Sequence, residues 1–245
     1  MVKRETILLI GGTHEAVALN AALSEKKGIR LITSLAGRTS APVKLKGEVL
    51  MGGFGGLDGF DRLLRAEEIT RVIDASHPFA ARITETAFTC ARSAGIPYLR
   101  LCRPAWVEQP DDQWIRAGNL ADAAGKIGFH KRIFLTIGRQ ELAAFEGATD
   151  KFLLVRSIEK GDFTPEKSEV AFLQARGPFS VDDEIALMTE HRIDLLVSKN
   201  SGGAATYAKI EAARRLKLPV LMIDRPQEPS ADTYASVKEL LAALT

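Results

Sequence analysis

Short hydrophobic runs alternate with helical patterns along most of the chain. Residues 6–10 are all β-branched or leucine, which is typical of a strand buried on both faces. A Gly-Gly-Thr turn follows, and apolar residues then recur at helical spacing over residues 16–23. Because Thr13 is suited to cap that helix, the sequence predicts a strand that leads directly into a helix N-terminus.

The same alternation continues through the first hundred residues. Further strands are predicted at residues 29–33, 48–51, 71–73 and 96–101. Helices are predicted at residues 57–66 and from Pro78 to about residue 93. Strands that alternate with helices indicate a parallel, doubly wound sheet.

The periodicity stops after residue 102, in a stretch with two prolines and two adjacent aspartates, and a second alternating series then begins. Its predicted strands are residues 133–137, 152–156, 170–174, 195–198 and 220–223. Its predicted helices are residues 120–127, 141–145, 181–190, 205–216 and 235–244. We therefore predict an α/β protein of two Rossmann-like lobes with mainly parallel sheets and a cleft between them. The N-terminal lobe covers residues 1–102, a linker 103–117, and the C-terminal lobe 118–245.

Composition and charge narrow the function classes. With 46% hydrophobic and 26% charged residues and a formal charge of +2, the chain is expected to be globular, without a nucleic-acid or membrane partner. Neither the two cysteines nor the four histidines have metal-ligand spacing, so no metal is expected. No signal segment and no apolar run of about 20 residues is seen, which favours a cytoplasmic protein, and a monomer is compatible with the sequence.

The turn after the first predicted strand is a candidate phosphate site. Gly11 and Gly12 let backbone amides approach a ligand, and the helix that starts at Thr13 offers unpaired N–H groups and a positive dipole end. Glu15 in its first turn belongs to this candidate cofactor site. The pattern is not the full dinucleotide fingerprint, so an ordinary tight turn is the alternative.

The end of the second predicted strand bears on the choice of cofactor. No acidic residue stands where a Rossmann unit binds the ribose 2′-hydroxyl of NAD. Ser34, Arg38 and Thr39 instead offer hydroxyls and a guanidinium, groups that suit a 2′-phosphate. The local chemistry thus favours NADP, unless Arg38 is only a solvated loop charge.

Two later turns carry further candidates. The Gly-Gly-Phe-Gly-Gly loop presents Phe54 for stacking, and Gly55 keeps the loop open to the cofactor; a flexible connection is the alternative. The turn after the fourth strand holds Asp74, Ser76 and His77, where open α/β sheets bind ligands. His77 is a candidate substrate or nicotinamide contact and proton donor, although it could instead cap the helix that Pro78 starts.

Basic residues follow each strand of the second lobe and are expected to meet at one sheet edge. They are Arg139, Arg156, Arg176, Lys199 and Arg225. Such an edge suits a ligand with several carboxylates or phosphates, although each cation alone could be a solvated charge. Lys199, Asn200, Ser201 and Gly202 precede a helix and form a second candidate anion site.

The order of these motifs resembles the precorrin-6A reductases of cobalamin biosynthesis. The resemblance rests on GGTHE, SLAGRT, GGFGG, DASHPFA, IGRQEL, GPFS, SKNSGG, YAKIEAA and PVLMIDRP. It implies an NADPH-dependent oxidoreductase that reduces the tetrapyrrole-derived macrocycle of precorrin-6A to precorrin-6B, or acts on its cobalt-containing counterpart. It also implies two Rossmann-like lobes with cofactor and macrocycle between them.

In such an enzyme we expect the following roles for the candidate residues, with residues 198–203 closing over either the cofactor or the substrate carboxylates. Cofactor contacts are expected from Gly11, Gly12, Thr13, Glu15, Ser34, Arg38, Thr39, Gly55, Lys199, Ser201 and Gly202. Substrate contacts are expected from Phe54, Arg139, Arg156, Arg176, Asn200 and Arg225. The catalytic candidate is His77, oriented by Asp74 or Ser76. Two alternatives stay open: a non-enzymatic two-lobed binding protein for a polyanionic metabolite, and a tetrapyrrole-pathway enzyme that uses no nicotinamide.

Overall fold

The computed structural model describes residues 5–37, 44–158 and 162–244. The chain forms two compact units, Met1–Pro104 with Pro226–Thr245, and Ala105–Arg225. Each unit contains one six-stranded sheet in which every pair of neighbouring strands is parallel. The predicted α/β class with two Rossmann-like sheets is confirmed.

The bounds of the elements are as follows. The strands are β1 (Glu5–Ile10), β2 (Ile29–Leu35), β3 (Glu48–Met51), β4 (Arg71–Asp74), β5 (Tyr98–Leu101), β6 (Trp114–Ala117), β7 (Arg132–Thr136), β8 (Thr149–Ser157), β9 (Lys167–Gln174), β10 (Leu195–Lys199), β11 (Val220–Ile223) and β12 (Asp232–Tyr234). The helices are α1 (His14–Ser24), α2 (Gly56–Ala66), α3 (Ala81–Ser93), α4 (Leu120–Lys126), α5 (Val181–Glu190), α6 (Ala208–Arg215) and α7 (Val237–Ala243). A 3-10 helix covers Arg139–Phe145.

In the first unit the strand order is β12-β5-β4-β1-β2-β3. Alternate residues of β1 face opposite layers: Ile7 and Leu9 pack with residues of α1, and Leu8 and Ile10 pack with residues of α2. All four side chains are nearly or fully buried. The continuous apolar run of β1 therefore reflects a strand with a helix layer on each side.

The second sheet has the order β6-β11-β10-β7-β8-β9. Its central strands are also buried, and Phe134, Leu196 and Met222 pack in one cluster with Met188 of α5 and Ile210 of α6. In the part of the chain that the structure describes, no helix is long and apolar enough to cross a membrane.

The observed units differ from the predicted lobes at two places. The end of the chain returns to the first unit, where β12 pairs with β5 and Leu240 of α7 joins the core. β6, inside the predicted linker, pairs with β11 in the second sheet. Both strands are short and pair with strands far away in sequence, so local periodicity does not reveal them.

Each sheet has one point where the strand order reverses direction. In the first sheet it lies between β1 and β4, and in the second between β7 and β10. Open α/β sheets bind ligands outside the carboxyl ends of the strands at such a point. The turns after these four strands are therefore the places to look for function.

Candidate functional site

The turn after β1 is shaped by two glycines with different tasks. The Gly11 N–H donates to the Ser34 carbonyl at 2.8 Å, and a Cβ on Gly11 would lie 2.9 Å from Cδ2 of Leu35. A Cβ on Gly11 would also lie 3.3 Å from the Ser34 carbonyl oxygen, so any larger residue would crowd this approach to β2. Gly12 has φ +117°, and a Cβ there would meet no atom within 4 Å. The turn is thus packed against β2 at Gly11 and open at Gly12.

Thr13 joins this turn to the turn after β4. Its Oγ1 accepts a hydrogen bond from the Ala16 N–H at 3.1 Å and donates to the Ala75 carbonyl at 2.8 Å. The predicted helix cap is therefore present, and the same hydroxyl fixes the two turns against each other. Glu15, in the first turn of α1, accepts from Nη1 of Arg103 at 2.9 Å. Among the described residues, no carboxylate accepts a hydrogen bond from the amides of residues 11–13.

Hydrogen bonds to the buried side chain of Asp74 stabilise the turn after β4. This carboxylate is fully buried and accepts from the Ser76 N–H at 2.8 Å, Thr84 Oγ1 at 2.8 Å and the Tyr98 hydroxyl at 2.9 Å. It also forms an ion pair with Arg100 at 3.1 Å. Burial and the neighbouring Asp74 charge raise the pKa of Tyr98, which keeps its hydroxyl a donor.

Of the three catalytic candidates, only His77 is partly exposed, whereas Asp74 and Ser76 are buried. Nδ1 of His77 accepts from the Phe79 N–H at 3.2 Å. The helix expected to start at Pro78 begins at Ala81, and its cap residue is Ala80. His77 therefore stabilises a tight turn that precedes the helix.

Arg100 is a residue that sequence reasoning missed. It is 1% exposed, and its Nη1 donates to the carbonyls of Asp74 at 3.2 Å and Ser76 at 3.1 Å. Burial alone lowers the pKa of Arg100, but the charges of Asp74 and Glu228 outweigh it and raise the pKa overall. The available signal was a single arginine inside the otherwise apolar strand β5, since a buried charge needs a partner.

The other first-unit candidates lie after β2 and β3. Ser34 is 3% exposed at the end of β2. Phe54 packs edge-on against Phe60 with ring centroids 4.8 Å apart, and Gly55 has φ +78° at the cap of α2. A Cβ on Gly37 would lie 3.6 Å from the Gly52 nitrogen, so the two turns are neighbours. Arg38 and Thr39 lie outside the described residues.

The turn after β7 in the second unit contains its own carboxylate. The Gly138 N–H donates to Glu141 Oε2 at 2.6 Å, and Lys199 Nζ lies 2.8 and 2.6 Å from the two Glu141 oxygens. Lys199 comes from the end of β10, so this ion pair spans the reversal point. The lysine predicted to bind cofactor is thus a partner of Glu141.

The loop after β10 is fastened by Asn200. Its side-chain Oδ1 accepts from the Trp106 N–H at 2.8 Å, and its Nδ2 donates to the Trp106 carbonyl at 3.1 Å. Arg225 donates to the carbonyls of Asn200 at 2.8 Å and Ser201 at 3.1 Å. Ser201 is buried, and Gly202 has φ +69°. Asn200 and Arg225, which were expected to bind substrate, therefore hold the shape of the loop.

The predicted basic edge is only partly available to a ligand. The five cations do lie at or just after the carboxyl ends of parallel strands, and Arg139 and Arg176 are exposed. Arg156 instead is 8% exposed, and its Nη1 pairs with Glu184 Oε1 at 2.5 Å. Its guanidinium carbon Cζ lies 3.9 Å from the centroid of the Phe179 ring. Sequence alone does not show that a glutamate from a distant helix neutralises this arginine.

Lys209 of α6 is a second residue that sequence reasoning missed. It is 4% exposed, and its Nζ lies 5.5 Å from the Trp106 ring centroid. Burial, followed by the charge of Arg156, lowers the pKa of Lys209 from 10.5 to about 7. In the described ranges, no group of three or more His, Cys, Asp or Glu residues could hold a metal ion.

Together these features define a two-unit α/β protein with a glycine turn and a helix N-terminus at the reversal point of its first sheet. The sequence profile of the family described as Precorrin-6x reductase CbiJ/CobK matches residues 6–245, and the chain belongs to this family. The predicted resemblance and the oxidoreductase class are confirmed.

Individual relatives support the same assignment. The chain is 49% identical to a protein named Precorrin-6A reductase from Rhodococcus erythropolis, covering 92% of this chain and 91% of that protein. A solved structure titled CobK precorrin-6A reductase superposes with a TM-score of 0.90 at 36% identity, over 98% of this chain and 96% of that one. A protein named Cobalt-precorrin-6A reductase from Priestia megaterium is 28% identical over 97% of each chain.

Proposed function

We propose that this protein reduces precorrin-6A to precorrin-6B by hydride transfer from NADPH in cobalamin biosynthesis. Family membership supports a reductase, and the names of the relatives support the substrate. The single observation that carries the cofactor part is the Thr13 bond to Ala75, which joins the turns after β1 and β4 into one surface at the reversal point.

We place the proposed binding site of the cofactor pyrophosphate in the first unit. Its residues fit a dinucleotide, because Gly12 is open, Gly11 brings the backbone close to β2, and α1 begins directly after the turn. In the second unit, the amide of Gly138 already binds the carboxylate of Glu141. A phosphate there would have to displace a bonded anion that is also paired with Lys199.

NADPH is proposed over NADH on the chemistry at the end of β2. The segment from Ser34 to Gly37 contains no acidic side chain that could bind a ribose 2′-hydroxyl. Ser34 ends this strand, and we retain Arg38 and Thr39 as proposed partners of the 2′-phosphate. An arginine fork suits a phosphate, and it offers no comparable contact to NADH.

Bound NADPH supplies the hydride, and the protein orients the reactants. Asp74 and Ser76 fix the turn from inside, so His77 is the member of the turn proposed to contact substrate or nicotinamide and to deliver a proton. Exposed Arg139 and Arg176 are proposed to bind substrate carboxylates. We propose that Phe54, anchored on Phe60, limits the site on the β3 side.

The cobalt-free macrocycle is the proposed substrate. Identity is clearly higher to the relative named Precorrin-6A reductase than to the one named Cobalt-precorrin-6A reductase. A preference for the cobalt-free macrocycle needs no protein group that contacts the metal. A bound cobalt ion changes the charge and shape of the ring, and the site can discriminate on these.

The decisive assay is anaerobic turnover of precorrin-6A with NADPH, followed by loss of nicotinamide absorbance and by product mass. We expect a product heavier by one hydride and one proton, slower turnover with NADH, and slower turnover with the cobalt-containing macrocycle. His77→Ala should lower the single-turnover rate without loss of NADPH binding. If neither macrocycle oxidises NADPH, the non-enzymatic binding protein becomes the better account.

A further inference from the structure

Arg100 contacts the main chain on both sides of Ala75. Its Nη1 donates to the Asp74 carbonyl at 3.2 Å and to the Ser76 carbonyl at 3.1 Å, and it lies 3.1 Å from Asp74 Oδ1. Ala75 is also the residue whose carbonyl accepts the Thr13 hydroxyl. One buried guanidinium thus sets the path of the turn at the reversal point of the first sheet.

Glu228 holds the opposite side of this guanidinium. Its Oε2 accepts from Arg100 Nε at 3.3 Å and its Oε1 accepts from Nη2 at 3.1 Å, a bidentate arrangement. Cys102 Sγ lies 3.2 Å from the same Oε1. Glu228 belongs to the segment after residue 225, which rejoins the first unit. The segment therefore contributes a charged residue to the ligand end of the sheet in addition to β12.

The geometry depends on a planar fork with several donors. Lysine is a single point charge and could not bind two carbonyls and a bidentate carboxylate in fixed directions. Without Glu228, Arg100 keeps its Nη1 contacts to the turn but loses the bidentate contact to Nε and Nη2, which helps to fix the plane of the guanidinium. A small displacement of the turn would then follow without loss of the fold, because the sheet around it is intact.

We propose that Arg100 and Glu228 are a positioning pair for hydride transfer: Arg100 sets the Ala75–His77 turn, and Glu228 sets Arg100. This inference rests on the proposed function, in which that turn faces the nicotinamide and substrate. The pair acts through the turn and contacts neither reactant. Its effect is therefore expected on the chemical step more than on cofactor affinity, which α1 and Gly12 provide.

Glu228→Gln is the test variant, and Glu67→Gln is its matched control. Glu67 also pairs with an arginine of the first unit, Arg30 at 2.7 Å, and its side chain is 33% exposed against 25% for Glu228. Arg30 lies at the start of β2, away from the reversal-point turns. Both variants should keep the wild-type circular dichroism spectrum.

We expect Glu228→Gln to lower kcat about tenfold, with the Kd for NADPH changed by less than about twofold. The kinetic isotope effect with NADPH deuterated at the transferred position should increase, because the chemical step becomes slower than product release. Arg100→Lys should also lower kcat with little change in the Kd for NADPH, and its loss of kcat should be larger. Glu67→Gln should keep both the rate and the isotope effect.

Two results would overturn the inference and can be told apart. An active wild-type enzyme for which Glu228→Gln keeps the kcat and isotope effect of Glu67→Gln removes the positioning pair alone. A wild-type protein that binds NADPH but reduces neither macrocycle removes the proposed function and the role of the pair with it.

Discussion

Each of the two sheets has its own reversal point, and the two points differ in the groups that lie there. In the first, the amides of residues 11–13 precede an 11-residue α-helix, and no carboxylate of the described chain binds them. In the second, Gly138 binds Glu141, which is paired with Lys199. The same topology thus gives one turn suited to an external anion and one satisfied by an internal anion.

The helix that follows each turn reinforces this difference. α1 is a regular α-helix capped by Thr13, whereas Arg139–Phe145 is a 3-10 helix with Gly138 at its N-cap, and the carboxylate of Glu141 in its first turn accepts from the Gly138 N–H. A 3-10 helix has poorer hydrogen-bond geometry, and a carboxylate already neutralises its positive end. The fold is the same at the two turns, so our proposal for the cofactor rests on which of them already binds a carboxylate.

The largest effect is expected from an acid placed at the first turn. Gly12→Asp should raise the Kd for NADPH at least about 100-fold, because a carboxylate would stand where we propose that the phosphates bind and φ +117° disfavours any side chain. Gly202→Asp, at φ +69° in the second unit, is the matched change. It should leave the Kd within about threefold of wild type by isothermal calorimetry. The reverse ranking would move the cofactor to the second unit.

Removal of a helix cap should separate stability from cofactor binding. Thr13→Ala loses the cap of α1 and the bond to Ala75, so we expect a loss of about 1 kcal/mol in unfolding free energy and about a tenfold higher Kd for NADPH. Ser180→Ala loses the comparable cap of α5. Urea unfolding should show a similar loss of stability for Ser180→Ala, with NADPH affinity unchanged. Equal affinities for the two variants would argue against the first turn as the phosphate site.

The pH dependence of stability tests whether burial lowers the pKa of Lys209 in the folded second unit. Because its pKa falls from 10.5 unfolded to about 7 folded, the unfolded chain holds an extra proton between these values. Stability should therefore rise with pH across that window by at most about 1.4 kcal/mol per pH unit, relative to Lys209→Met. Lys209→Met should be more stable than wild type near pH 6, with the difference shrinking toward pH 10. A difference independent of pH would show that folded Lys209 stays charged.

The smallest effect on the cofactor is expected from Glu141→Gln. This change weakens the ion pair with Lys199 and should cost about 1 kcal/mol of stability. Since the second turn is not the proposed cofactor site, the Kd for NADPH should change by less than about twofold. A markedly tighter Kd would mean that Glu141 competes with a phosphate there.

The parts that the sequence predicted well depend on local signals. The apolar run before Gly11, the cap at Thr13 and the alternation of strands and helices all follow from neighbours within a few residues. They were enough to predict two parallel sheets and the first glycine turn.

The parts that it did not predict depend on pairing across long separations. Arg156 meets Glu184 28 residues away, and Lys199 meets Glu141 58 residues away, so two cations expected at a ligand edge are internal. β12 is three residues long and pairs with β5 from the far end of the chain. Arg100 could have been suspected from its apolar strand, but its partner Glu228 lies 128 residues away.

Hydrogen exchange of the wild-type protein, with and without saturating NADPH, tests the central comparison most directly. We predict slower exchange at the amides of residues 11–17 and 75–79, and unchanged exchange at residues 138–142. Protection at residues 138–142 without protection at residues 11–17 would contradict the assignment of the cofactor to the first unit.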